Sequence, residues 1–174
     1  LSQGFVEPLE ATAILLADFC AKQLAQNFPE EQAHCENLSN MYNKRITYCW
    51  DRVIDFIKLH YCISDREDSQ FWLDNKKEEG ISEHLKQLLL HWQSFSPKSS
   101  DFFSKFEIFD VENFLYVLYG MKYQTSSTDL STRYLTKAKS DSEQVKKHAD
   151  ALLTELPKHR ELINKINEFG MQKL

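Results

Sequence analysis

The chain has 174 residues, 42% of them hydrophobic and 13% aromatic, enough to bury a sizeable core and too much for a disordered segment. A formal net charge of −5 with no basic stripe excludes the electrostatic footprint of a nucleic-acid binder, and no apolar run is long enough to span a membrane. Only four glycines and four prolines interrupt stretches of helical periodicity, so the expected fold is all-α, an irregular helical bundle read as a single domain over residues 1–174.

In chain order, Pro8 excludes a regular helix before it, and Thr12 is suited to cap the apolar run Ala13, Ile14, Leu16, Ala17, Cys20 and Leu24. That predicts a first helix from about Thr12 to Phe28, stopped by Pro29. A second, long helix from about Glu30 to Ile63 carries the row Tyr42, Ile46, Cys49, Val53, Phe56, His60 and the offset set Trp50, Ile54, Ile57, Tyr61. Two such rows bury more than one side, which makes this the expected central helix and His60 a hydrogen-bonded core histidine rather than a ligand. A polar loop at 64–68 leads to a short helical piece around Phe71 to Lys77. Ser82 then caps a helix through Leu85, Leu88, Leu89 and Trp92 to about Ser94, before Pro97.

A further helix from Asp110 to Met121 is rich in aromatics. The tail predicts a last pair, near Ser140 to Leu156 and Pro157 to Phe169, with Pro157 in the first turn of the second. Their rows Val145, Ala149, Leu152, Leu156 and Leu162, Ile163, Ile166, Phe169 are those of an antiparallel helical pair. Trp50, Phe56, Trp72 and Trp92 read as packing residues. Cys20, Cys35, Cys49 and Cys62 form no CxxC and read as reduced thiols of an intracellular, cytoplasmic protein. No metal is expected, because Glu31 to His34 supplies one Glu-x-x-His where a di-iron bundle needs two.

The chemistry concentrates at the start. The first amides of a helix have no intrahelical partner and sit at the positive end of its dipole, so the turn Glu10-Ala11-Thr12-Ala13 is suited to an anion or the electron-rich edge of a cofactor. Glu7 and Glu10 lie three apart across Pro8. No other acidic residue stands out as the partner a paired-carboxylate hydrolase needs.

The segment GFVEPLEATA, from Gly4, closely resembles the GFxEPLESTG stretch of the flavin-dependent halogenases, the tryptophan halogenase family. WDRVIDFIKLHY (Trp50 to Tyr61), SDREDSQFW (Ser64 to Trp72) and NFLYVLYGM (Asn113 to Met121) follow in the family's order and roughly its spacing, so the resemblance runs to about Tyr123. It implies FAD, chloride or bromide, a flavin reductase supplying reduced flavin, and electrophilic halogenation of an indole-like aromatic. In the family, reduced flavin and oxygen oxidise a bound halide, and the hypohalous acid reaches a lysine beside the substrate. Carried across residue by residue, the resemblance makes Glu10 the catalytic glutamate, puts the halide against the backbone at Thr12 and Ala13, and puts the flavin edge along Thr12, Ala13 and Ile14. Phe114 and Leu115 match the two adjacent aromatics that embrace the indole, one of them here aliphatic. The chain also departs from the pattern at Ala11, usually serine, and at Ala13, often glycine.

No GxGxxG can be built from Gly4, Gly80, Gly120 and Gly170, and the family's WxWxIP and catalytic lysine are absent. The resemblance therefore implies the C-terminal helical part of a larger enzyme whose dinucleotide-binding half lies elsewhere, with residues 1–174 alone inactive. A non-halogenating flavin monooxygenase and an independent helical protein-interaction module are the other classes this pattern admits.

Overall fold

The structure is a computed structural model that describes residues 7, 9, 12–126 and 132–171. Among the described residues there is no strand, and the helices are α1 (Thr12–Gln26), α2 (Cys35–Cys62), α3 (Gln70–Asn75), α4 (Glu83–Ser94), α5 (Val111–Gly120), α6 (Thr132–Glu155) and α7 (His159–Phe169). The all-α expectation holds. The chain divides into two compact units, Leu1–Ser127 and Thr128–Leu174, which are described separately.

The first unit is built on α2, 28 residues long and therefore about 42 Å from end to end. Its predicted row is buried at Ile46, Cys49, Val53 and Phe56, and Leu59 continues the dry surface. The offset set is only partly buried, since Ile57 is enclosed while Ile54 is half exposed. The buried stripe is thus widened, not continuous around the helix. Phe56 stacks on Phe109 with ring centroids 3.9 Å apart and meets the edge of Phe114 at 4.9 Å, which pins α5 and the loop before it to the middle of α2. His60 is half buried, its Nδ1 2.8 Å from the Phe56 carbonyl one turn back, as the helix-face reading required.

Helix α4 is attached by polar contacts as well. The Ser82 hydroxyl accepts the Leu85 amide at 3.0 Å, the predicted N-cap, and donates to Asp55 of α2 at 2.5 Å. Asp55 is buried, and its other carboxylate oxygen lies 2.9 Å from Arg52 Nη2 and 3.1 Å from His84 Nδ1. At the far end of α4, the fully buried Trp92 donates its indole N–H to Asp101 at 2.9 Å, and the same carboxylate oxygen accepts the Lys98 amide. Buried polar groups are costly without such partners, so these contacts also fix the register of α4.

The end of α5 does not use its glycine. Tyr123 N–H donates to Leu118 O at 2.8 Å and Lys122 N–H to Tyr119 O at 3.1 Å, the paired bonds of a Schellman turn, with Lys122 in the left-handed region at φ 61°. Gly120 is the last helical residue instead. The turn is kept because Tyr123 then reaches across to donate its hydroxyl to the Leu89 carbonyl of α4 at 2.8 Å.

Three expected boundaries are corrected. Glu31 is extended, so α2 starts at Cys35 after a short 3₁₀ turn rather than at Glu30. Helix α6 begins at Thr132, not near Ser140, since no breaker intervenes and Lys137 pairs with Asp141 one turn on at 2.9 Å. Lys158 is the cap of α7, which leaves Pro157 just outside its first turn. In this second unit none of the described residues is buried, and Val145, Leu156 and Phe169 of the predicted rows stay exposed. Two helices lack the third layer that would cover such stripes.

All four cysteines are free thiols, with Cys35 exposed and Cys20 and Cys49 buried. Burial is the main cause that pushes the Cys49 and Cys62 thiols up to about 11 from an ordinary 9.0. Two expectations follow. At pH 8 their thiolate fraction is about a hundredfold below that of an ordinary thiol, so iodoacetamide mapped by mass spectrometry should modify Cys35 first; equal labelling of Cys49 would contradict the burial. Because the folded state holds these protons more tightly, their contribution is complete below about pH 9 and is lost as pH rises towards 11. Lys122→Gly should raise stability by about 1 kcal/mol, since a side chain in the left-handed region costs roughly that much; an unchanged midpoint in urea would show that the turn is unstrained.

Candidate active site

Thr12 is the first residue of α1, and it is buried. It lies inside the helix rather than ahead of it, which corrects the expectation of Thr12 as the cap. Ala13 is half buried, and the Ile14 side chain is 83% exposed. Glu10 and Ala11 lie outside the described residues.

The turn before α1 is tied down by a contact that the apolar reading of α2 did not reveal. Tyr61, near the C-terminal end of α2, donates its hydroxyl to the Glu7 carboxylate, with distances of 2.9 and 2.8 Å to its two oxygens. The bond to Glu7, then burial, holds the Tyr61 phenol above its ordinary range. Its ring is flanked by Phe71 edge-on and by Trp72, each with centroids 5.5 Å away. Arg66 covers the Trp72 ring at 4.3 Å and is itself held by both oxygens of Asp68, at 3.0 and 2.7 Å. The motif blocks GFVEPLEATA, WDRVIDFIKLHY and SDREDSQFW are thereby in one chain of contacts.

The fourth block joins α2 elsewhere. Phe114 is almost fully buried between Phe56, Trp92 and Phe102, while its neighbour Leu115 is half buried. Tyr61 and Phe56 are five residues apart, which puts them about 140° apart around α2 and about 7.5 Å along it. The helix start and the pair Phe114–Leu115 thus reach α2 from different sides.

Other clefts lie apart from these residues. An apolar groove of about 350 Å³ is lined by Leu24, Phe28, Leu38, Met41 and Arg45, among others. Leu24 is twelve residues from Thr12, roughly 18 Å along α1. A more polar cleft of about 460 Å³ contains Tyr48, Arg52, His84 and Glu107, where burial and the hydrogen bond to Glu107 push the Tyr48 phenol up to about 12. No cluster of three or more metal-binding side chains occurs among the described residues.

The comparisons with known proteins decide the family. Residues 1–137 match the tryptophan halogenase family. The chain belongs to that family. The tryptophan 6-halogenase SttH of Streptomyces toxytricini is 31% identical over 120 residues, covering 69% of this chain and 23% of that protein. The tryptophan 7-halogenase RebH of Lentzea aerocolonigenes is 30% identical over 131 residues, covering 69% and 24%. Among solved structures, the tryptophan halogenase from Shewanella frigidimarina superposes on 98% of this chain and 33% of its own length, with a TM-score of 0.84 at 34% identity. The flavin-dependent halogenase BrvH from Brevundimonas sp. BAL3 follows with a TM-score of 0.77 at 27% identity over 92% of this chain and 32% of its own.

The chain therefore spans about a quarter of its curated halogenase relatives. The family match over residues 1–137 covers all of the first compact unit, and the superposition on the Shewanella frigidimarina halogenase extends to 98% of the chain. Sequence reading had placed Tyr61 in an apolar row; the available signal was a hydroxyl at the end of that row, where a ring is packed and its tip reaches a polar group.

Proposed function

We propose that this chain is the helical, substrate-pocket-forming part of an FAD-dependent halogenase that installs chlorine or bromine on a compact indole-like aromatic. The observation that carries the reading is the buried Thr12 at the head of α1, one residue beyond Glu-Pro-Leu-Glu, with Glu7 of that stretch held by Tyr61. The donor set fits a halide: adjacent backbone amides at the positive end of a 15-residue helix bind an anion without any particular side chain. Thr12 and Ala13 hold the halide in this reading, and Thr12, Ala13 and Ile14 present backbone to the flavin edge. Reduced FAD with oxygen supplies the oxidising equivalents. Glu10 orients the halogenating species and accepts the proton that leaves the ring. Leu115, backed by the buried Phe114, offers the substrate an aliphatic wall.

The test uses the full-length protein with a flavin reductase, bromide and indole. Glu10→Gln keeps the size of the side chain and removes its basicity, so bromination should slow by roughly 10²–10⁴-fold with flavin affinity little changed. Parental rates in that variant would remove Glu10 from the mechanism. Oxygenated product formed without dependence on halide would mark a monooxygenase instead, and no flavin-dependent turnover at all would leave an interaction module.

Substrate preference follows from Leu115. Replacing one ring of an aromatic clamp removes stacking worth about 0.5–1.5 kcal/mol, and the stretch Met121-Lys122-Tyr123 offers no acidic partner for an amino-acid ammonium. Indole competed against free tryptophan in one reaction should therefore be brominated preferentially; single-site bromination of tryptophan in preference to indole would overturn this assignment of Phe114 and Leu115.

A further inference from the structure

We infer that Tyr61 is a positioning residue for this site, its hydroxyl latching Glu7 so that the segment carrying Glu10 and the start of α1 are held in register with α2. The inference rests on the halogenase reading for its effect on turnover, but the latch itself is a structural claim with its own readout.

The geometry is specific. Tyr61 addresses both oxygens of Glu7, at 2.9 and 2.8 Å, across 54 positions of sequence. Glu10 follows Glu7 by three residues and precedes Thr12 by two, so chain connectivity alone keeps its backbone within about 11 Å of the latch and about 7 Å of the helix start. Pro8, next to Glu7, has its own φ fixed by its ring, which reduces the freedom of the link between latch and site. A hydrogen bond from a ring flanked on two sides to the Glu7 carboxylate is therefore placed to tie that link to the end of α2.

Aromatic neighbours flank the Tyr61 ring on two sides. Phe71 meets it edge-on, Trp72 lies against it, and Phe71 and Trp72 meet each other at 5.4 Å. Arg66, clamped by Asp68, covers the Trp72 ring at 4.3 Å. The loop after α2 and the short helix α3 act in this way as the seat of a phenol whose only polar atom points at the N-terminal turn. Catalytic groups must be held within fractions of an ångström, and a displacement near 1 Å costs on the order of 10²-fold in rate. A latch on the residue three before a catalytic carboxylate therefore acts on turnover more than on affinity.

The experiment compares variants of the full-length protein in two assays. Tyr61→Phe keeps the ring seated and deletes the donor; Glu7→Gln keeps an acceptor for the hydroxyl; Glu7→Leu removes it. By hydrogen exchange, the peptide spanning residues 9–16 should lose protection in Tyr61→Phe and Glu7→Leu, while peptides from α4 and α5 stay unchanged. In halogenation of indole, kcat should fall roughly 10- to 100-fold in both, with KM for indole little changed. Glu7→Gln should retain most of the activity, and the Tyr61→Phe/Glu7→Leu double variant should be no worse than the poorer single, as expected for two halves of one contact. Parental kcat and parental exchange in Tyr61→Phe would overturn the latch, as would a lowered melting temperature with kcat intact, or single effects that simply multiply. If the unaltered protein halogenates nothing, the functional reading fails, and the exchange assay still decides whether the latch exists.

Discussion

A buried carboxylate on the central helix is tolerable only where donors surround it, and Asp55 has three: Arg52 on its own helix, the Ser82 hydroxyl and His84 on the helix beside it. Removing one partner of such a group costs several kcal/mol, so this cluster fixes α4 against α2 more narrowly than apolar contact does. One residue further on, Phe56 turns to the other neighbours, stacking on Phe109 and meeting the edge of Phe114. Five residues beyond that, Tyr61 reaches the turn before α1. A single helix thus receives α4, α5 and the N-terminal turn within two turns of its length, and an error in its register would misplace all three.

That concentration explains which parts of the molecule were legible in the sequence. Helix α2 could be read from its row because Ile46, Cys49, Val53 and Phe56 really are the dry side, and Ser82 could be read as a cap because capping is a local event. The Asp55 cluster and the Glu7–Tyr61 bond were not legible, since each joins residues 27 to 54 positions apart and nothing local marks either partner. The turn after α5 carries no local mark either. Glycine is the usual left-handed residue, but here the tertiary bond from Tyr123 to Leu89 places Lys122 in that conformation instead. The tail rows were legible as amphipathic helices, and Val145, Leu156 and Phe169 of those rows stay exposed, because periodicity reports which face is apolar and not whether anything covers it.

Of the candidate site, sequence located the helix start and the aromatic position, and the fold assigns them different characters. Thr12 is buried and Ile14 is not, so the backbone of that first turn is anchored on one side only. Phe114 is packed by three aromatic rings. A residue held that way adapts little, and it transmits its position to the half-buried Leu115 beside it. The packed aromatic position thus belongs to α5, while Glu7 before α1 is joined to α2 by the Tyr61 hydrogen bond.

Ala13 bears on the same point. Where the family often has glycine, this chain has a residue that favours helix by about 0.8–1.0 kcal/mol, at the second position of α1. An alanine there leaves every amide donor in place, because its methyl group is not on the nitrogen. It removes backbone freedom from the unfolded and frayed forms of that turn, so the amides spend more of their time aligned. Donors already aligned need no reorganisation when an anion arrives, and that is the property a halide site built from backbone alone depends on. In place of a serine hydroxyl at position 11 and a glycine at position 13, this chain has two alanines; the side chains surrender a possible relay, and the helix start they flank becomes stiffer.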